Sequence, residues 1–127
     1  MKEHYVTYEQ AVKLKELGFK DKCNAYYWTE DKAFECTNSI IHKNSDTCQT
    51  VVMAPLLWQA QKWLREKHNL SVEPICNMVR QWNVNVCEID NFGTAVYSKM
   101  NLDTYELALS AGIDAALKLL TDKINDK

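Results

Sequence analysis

Glycine is scarce in this sequence, with only three residues in a chain of 127. Phosphate-binding loops of the GxGxxG and GxxxxGK types need several glycines close together, because their backbone must approach the phosphate. Neither pattern occurs, and the GxSxG turn that presents a nucleophilic serine is also missing. An enzyme would therefore have to assemble its site from residues that are distant in the sequence, and we expect a non-enzymatic protein in preference.

An excess of positive charge is also absent, because 15 Lys and Arg face 17 Asp and Glu, for a net charge of −2. Sequence-independent binding of duplex DNA or RNA needs a broad positive field, so neither is expected as a partner. No apolar run approaches the roughly 18 residues of a membrane span. The start, MKEHYVTYEQ, lacks the apolar segment of a secretory leader, so we expect a cytoplasmic protein without a membrane anchor.

The sequence contains five cysteines but no CxxC pair. An odd number at irregular spacings does not fit a disulfide framework, so these residues are expected to be reduced thiols. Cys36, His42 and Cys48 follow one another at intervals of six residues. Zinc sites usually take ligands in pairs two to four residues apart, so we expect no metal site. No other cofactor is expected either.

Helical signals appear in three segments. Thr7 is suited to cap a helix over residues 7–18, with Gln10 completing a capping box and Gly18 closing the last turn. A second helix is predicted over residues 55–68, with Pro55 in its first turn. A third is predicted over residues 103–120, with an Asp103 and Glu106 capping box.

Within the third helix, Ala108, Gly112 and Ala116 are four residues apart, which indicates close approach to a sheet or another helix. The polar segment 121–127 is predicted to fray.

Strand signals lie between these helices. Two or three of the runs CNAYYW, AFEC, SIIH and TVVM, between residues 23 and 53, are expected to be strands, with an exposed loop over residues 42–49. Pro74 places its segment, residues 71–79, at a sheet edge or a bulge. Residues 82–89 alternate apolar and polar side chains, and should pair with 94–98 as an antiparallel hairpin.

The sequence thus predicts a single globular domain over residues 1–127, of the α+β class. We expect three amphipathic helices packed on one mainly antiparallel sheet of four to five strands, in the order α-β-β-α-β-β-β-α.

The second helix breaks its own amphipathic pattern. At 100° per residue, an apolar arc about 120° wide contains Leu56, Leu57, Ala60, Trp63 and Leu64. Trp58, Lys62 and Arg65 lie almost opposite the centre of that arc, where side chains normally meet water.

Two interpretations of this face are open. Trp58, Lys62 and Arg65 could form a binding surface, because an indole beside two cations can anchor a protein partner or hold an aromatic ring and an anion. Alternatively, another segment such as the loop over residues 37–50 covers Trp58, while the two cations reach outward to solvent.

The segments TYEQAVKLKELGF, APLLWQAQKWLRE and YELALSAGIDAALKLL, in this order, resemble a group of uncharacterised small proteins encoded by gut Bacteroidales, their prophages and related phages. They cover about a third of the chain, and no activity or catalytic residues can be carried over from the group. Trp58 departs from the smaller or aliphatic residue typical of that position. The resemblance implies a phage-type or prophage-type accessory protein of the bacterial cytosol.

We therefore expect a protein that binds a host or phage protein. The alternatives are capture of a nucleotide-like signalling molecule or another small anion, with a homo-oligomer providing the site, and, third, a small enzyme.

Overall fold

The computed structural model describes residues 2–37, 42–45, 49–91 and 93–125, which contain three α-helices and six strands. In chain order the elements are α1 (Tyr8–Glu16), β1 (Ala25–Trp28), β2 (Phe34–Cys36), β3 (Val51–Met53), α2 (Leu57–His68), β4 (Leu70–Cys76), β5 (Trp82–Glu88), β6 (Thr94–Leu102) and α3 (Tyr105–Asn125). The α+β class is confirmed. Backbone contacts divide the chain into two compact units, Met1–Leu56 and Leu57–Lys127. The single domain over residues 1–127 stays a prediction.

The strands form two antiparallel sheets instead of the single sheet of four to five strands that the sequence predicts. Their strand orders are β2-β1-β3 and β4-β5-β6. In the first sheet, β1 is paired on both sides, with β2 and with β3. One more strand therefore precedes α2 than in the predicted order. Apolar alternation fixes which face of a strand is buried, but it does not fix which strand is its neighbour.

Helix α1 begins as predicted. The Thr7 hydroxyl accepts a hydrogen bond from the Gln10 amide at 3.2 Å, and the Gln10 side chain accepts one from the Thr7 amide at 2.9 Å. Each side chain thus satisfies an amide that the helix leaves without a partner. Gly18 follows the helix with a φ of +94°, a conformation that favours glycine.

The first unit has an aromatic core. Phe34 lies between Tyr5 and Tyr27, with ring centroids 5.2 Å from each. The Tyr27 hydroxyl donates a hydrogen bond to the Val6 carbonyl at 2.7 Å. Burial raises the pKa of the nearby Cys23 thiol to about 12, with a smaller contribution from the Asp21 carboxylate. The ring contacts of Phe34 and the hydrogen bond from Tyr27 to Val6 join β1 and β2 to the segment that precedes α1.

His42 is the one described residue of the predicted SIIH strand, and it forms an isolated antiparallel bridge with Cys23. Residues 39–41 of that run lie outside the described residues, as do residues 46–48 of the predicted loop.

In the second unit, β5 has the alternation that the sequence predicts. Val84 and Val86 are fully buried, whereas Asn83, which precedes Val84, and Asn85, which lies between the two valines, are half-exposed. Strand β4 is an edge strand, and it carries Pro74 opposite Val84. The predicted edge position of Pro74 and the antiparallel hairpin of β5 with β6 are therefore confirmed.

Helix α3 packs on the second sheet at Gly112. A Cβ atom on residue 112 would lie 2.5 Å from Val72 Cγ1 and 2.7 Å from Val84 Cγ2, so only glycine fits at this point. The predicted close approach is therefore present, and it is to the sheet.

The helix boundaries differ from the predicted ones in three places. Thr104 caps α3 in place of Asp103, because its hydroxyl accepts a hydrogen bond from the Leu107 amide at 3.0 Å. Asp103 instead accepts one from the Gln81 side chain. Helix α3 continues to Asn125, so Thr121 to Asn125 are helical where fraying was predicted. Helix α2 begins at Leu57 and not at Pro55, since Leu56 bridges to Tyr5 as an isolated antiparallel pair.

Candidate functional site

One side of α2 is the apolar face that the sequence predicts. Leu57, Ala60, Trp63 and Leu64 are buried. Leu56, the fifth predicted member, precedes the helix and is half-buried. The 100° spacing of side chains therefore identifies the buried side of this helix correctly.

The opposite side of α2 carries the three predicted binding residues. Trp58 is 57% exposed, and Lys62 and Arg65 are exposed as well. Because these positions are four and three residues apart on one helix, their side chains are neighbours on the same surface. We call the surface formed by Trp58, Lys62 and Arg65 the Trp58 face.

The alternative interpretation required another segment to cover Trp58. Residues 38–41 and 46–48 of the candidate 37–50 loop lie outside the described residues. The indole itself is more than half exposed, which is unusual for tryptophan because most of its large apolar surface is normally buried.

The Trp58 face is positively charged. Its two charged members, Lys62 and Arg65, are both cations, and the first turn of α2 contains no acidic residue, while the exposed Glu66 follows Arg65 in the sequence. Neither Lys62 nor Arg65 forms an ion pair with any residue that the structure describes. Both side chains are exposed, and a guanidinium can bind a carboxylate or a phosphate through two parallel hydrogen bonds.

His68 lies at the end of α2, on the inner side of the helix. Its imidazole stands edge-on to the Trp63 indole, with ring centroids 4.7 Å apart. Burial lowers the pKa of His68, because the charged imidazolium loses hydration there. His68 is therefore part of the packing of α2 and does not belong to the Trp58 face.

The first unit contains an aromatic recess that was not predicted from the sequence. Tyr26, Trp28, His42, Val51 and Met53 line a cavity of about 190 Å³. The Tyr26 ring is edge-on to both Trp28, at 5.6 Å between centroids, and His42, at 6.4 Å. The signal in the sequence was the pair of aromatic residues at positions 26 and 28, which share one face of a strand.

Tyr26, which lines the recess, is held by Glu35 of the neighbouring strand β2. The Tyr26 hydroxyl donates a hydrogen bond to the Glu35 carboxylate at 2.7 Å. This bond raises the pKa of Tyr26, since the tyrosinate form could not donate it. The recess thus has aromatic walls, and Glu35 contacts one of its lining residues without being part of the lining.

No cluster of three or more metal-ligating side chains occurs among the residues that the structure describes. Cys36, His42 and Cys48 are the three residues whose spacing was compared with that of zinc ligands. Cys36 Sγ lies 3.3 Å from the Tyr5 hydroxyl, and Cys48 is outside the described residues. The histidines lie on separate elements: His4 in a short 3-10 helix, His42 in the bridge with Cys23, and His68 in α2.

In the described part of the chain, no helix is long and apolar enough to cross a membrane. Comparison of the chain with protein-family models, with curated proteins and with solved structures finds no match.

Proposed function

We propose that this protein is a non-enzymatic binding protein whose Trp58 face contacts an acidic surface of another protein. The observation that carries the proposal is the 57% exposure of Trp58 beside two exposed cations on the outer side of an otherwise well-packed helix. Tryptophan and arginine are the residues most enriched where single side chains dominate the free energy of protein–protein binding. Exposing an indole to water without a partner is unfavourable, and a partner surface would remove that exposure.

A protein partner fits this surface better than a small molecule does. The outer side of a helix is convex, whereas small-molecule sites are concave and enclose most of the ligand. A protein surface can place an apolar pocket over the indole and carboxylates over Lys62 and Arg65 at the same time. The cations then contribute mainly to the rate of association and to the choice of partner.

The proposed partner is a host or phage protein of the bacterial cytosol. This part of the proposal rests on the resemblance of the three helical segments to phage and prophage proteins. An accessory protein that acts by binding to another protein needs an exposed anchor residue and does not need catalytic residues. Trp58 is such an exposed anchor.

The proposal can be tested by comparing what different variants capture from a Bacteroidales lysate. The immobilised wild-type chain is compared with Trp58→Ala, with Lys62→Glu/Arg65→Glu, and with Leu107→Ala as a matched control. Leu107 is a good control because it is also exposed on a helix, with 53% exposure, and lies outside the Trp58 face. The proposal predicts a protein that the wild type and the Leu107 variant retain and that both other variants lose.

A second candidate function is capture of a nucleotide-like small molecule, and the aromatic recess of the first unit is the observation that favours it. A cavity of about 190 Å³ with Tyr26 and Trp28 in its wall can hold one planar ring by stacking. Thermal-shift measurements with cyclic and linear nucleotides test this function. A ligand at 100 times its dissociation constant should stabilise the protein by about 2.7 kcal/mol, and Trp28→Ala should abolish the shift while Trp58→Ala retains it.

A further inference from the structure

The aromatic recess of the first unit is formed mainly by two neighbouring strands. Tyr26 and Trp28 are two residues apart, so they project from the same face of β1. The register of the sheet places Met53 of β3 opposite Tyr26 and Val51 opposite Trp28, which brings all four side chains to one face. His42 completes the lining from a separate segment. Most of the described lining is therefore positioned by the backbone pairing of one sheet.

The size of the recess limits what can enter it. Its volume is about 190 Å³. Pockets that enclose drug-sized ligands have volumes of about 300–1,000 Å³. The recess can therefore enclose only a small group, which is either a small molecule by itself or the end of a larger one.

The angles between the aromatic rings favour a rounded group. The plane of the Tyr26 ring stands at 78° to that of Trp28 and at 84° to that of His42. A planar ring can stack on only one of these surfaces at a time, whereas a rounded group in the corner between two rings contacts both. Val51 and Met53 add apolar contacts to the same recess.

The charges around the recess favour a cation. The described residues that line it include no Lys, Arg, Asp or Glu, so a phosphate would lose hydration there without meeting a cationic side chain. Lys43, next to His42 in the sequence, is exposed and does not line the recess. The faces of tyrosine and tryptophan rings attract cations, most strongly in tryptophan. The Glu35 carboxylate, 2.7 Å from the Tyr26 hydroxyl, adds a negative charge at the end of that ring.

From this geometry we propose that the aromatic recess binds an organic cation whose charge lies on an alkylated nitrogen, as in a quaternary ammonium group. The alkyl groups contact the rings of Tyr26 and Trp28, and the positive charge that these groups share is attracted to the ring faces. The proposal rests on the second candidate function in one respect, namely that the recess captures a small molecule. It goes beyond that function because it specifies the charge and the shape of the group that enters.

Choline and its neutral isostere, in which a carbon atom replaces the nitrogen, test this proposal in the full chain. The two molecules have nearly the same shape and differ in charge. An NMR titration of isotope-labelled protein at mildly alkaline pH follows the signals of Tyr26 and Trp28 and gives the dissociation constant of each compound. Choline should bind at least about tenfold more tightly than the isostere, because only choline gains the attraction of the rings for a cation.

Two variants at position 28 separate the effect of an aromatic ring from that of apolar bulk. Trp28→Phe keeps an aromatic ring and should keep the preference for choline. Trp28→Leu keeps apolar bulk without a ring and should lose most of that preference. Trp58→Ala is the matched control: it also removes an exposed indole, but from α2, and it should bind choline as the wild type does.

Three results would overturn the cation site. One is a titration in which choline changes no signal of Tyr26 or Trp28. Another is a wild-type chain that binds choline and the isostere with equal dissociation constants. The third is a preference for choline that Trp28→Leu retains in full.

The failure of this proposal is distinguishable from the failure of the proposed functions. If nucleotides stabilise the protein through Trp28 and choline does not bind, the cation site is overturned and the second candidate function stands. If choline binds and nucleotides do not, the reverse holds. Neither result changes the test of the Trp58 face, which depends on Trp58→Ala.

Discussion

Gly112 of α3 lies against Val72 of β4 so closely that a Cβ atom at position 112 would be 2.5 Å from Val72 Cγ1. Glycine inside a helix is normally unfavourable by about 1 kcal/mol relative to alanine. The packing of α3 on the second sheet therefore outweighs the helix propensity of the sequence at this position.

Gly112→Ala should lower the free energy of unfolding, although alanine favours the helix. Overpacking of this kind costs about 1–3 kcal/mol, which exceeds the gain in helix propensity. Urea denaturation measures the change. The double variant Gly112→Ala/Val72→Ala should lose less stability than the sum of the two single variants, because Val72→Ala removes the nearer of the two close contacts of the new methyl group. An increase in stability in Gly112→Ala alone would contradict this packing.

The capping box of α1 should contribute measurably to stability. Thr7→Ala removes the hydroxyl that accepts a hydrogen bond from the Gln10 amide, and we expect a loss of about 1 kcal/mol in the free energy of unfolding. Thr7→Ser keeps the hydroxyl and serves as the control. Equal stability of the alanine and serine variants would show that this hydrogen bond is not maintained in solution.

Cys23 should react slowly with alkylating reagents in the folded protein. Its side chain is buried, and burial raises the pKa of its thiol to about 12, so very little thiolate is present at neutral pH. Cys76 is exposed and provides the comparison within the same chain. Iodoacetamide labelling followed by peptide mass spectrometry should show Cys76 modified well before Cys23, and equal rates would contradict the described core of the first unit.

His68 should make the second unit less stable as the pH falls. Burial lowers the pKa of His68 below its ordinary value of 6.5. Between the two pKa values the unfolded chain binds more protons than the folded protein, so the free energy of unfolding decreases with falling pH in that range. Above pH 6.5 the stabilisation is fully present. An NMR titration of the imidazole protons should give a folded-state pKa below 6.5, and a value at or above 6.5 would contradict the burial of the imidazole.

Local features of the fold could be predicted from the sequence because each depends on a few neighbouring residues. Thr7 with Gln10 marks a helix start through hydrogen bonds that span three residues. Pro74 indicates an edge strand because it has no amide hydrogen to donate. The spacing of Leu57, Ala60 and Leu64 identifies the buried side of α2, and therefore also the exposed side that carries Trp58.

Features that depend on distant residues could not be predicted in the same way. The separation into two sheets depends on β1 pairing with both β2 and β3, which no local pattern specifies. The aromatic recess required His42 to bridge to Cys23 and so to lie beside Tyr26. At the start of α3, Thr104 and Asp103 are both good capping residues, and the bond from Gln81 to Asp103 was not visible in the sequence.

Trp58→Ala should separate binding from stability. The indole is largely exposed, so its removal should change the free energy of unfolding by no more than about 0.5 kcal/mol. Replacing a buried tryptophan with alanine would instead lower the free energy of unfolding by about 3–5 kcal/mol, which is what we expect for Trp63→Ala. Urea denaturation of the two variants side by side makes this comparison.

The most direct test of the proposed function is quantitative mass spectrometry of the proteins captured by the wild type, Trp58→Ala and Leu107→Ala. The Trp58 face predicts at least one protein that is depleted about tenfold or more with Trp58→Ala and fully retained with Leu107→Ala. A set of captured proteins that is the same for all three chains would contradict the proposal that Trp58 anchors a partner.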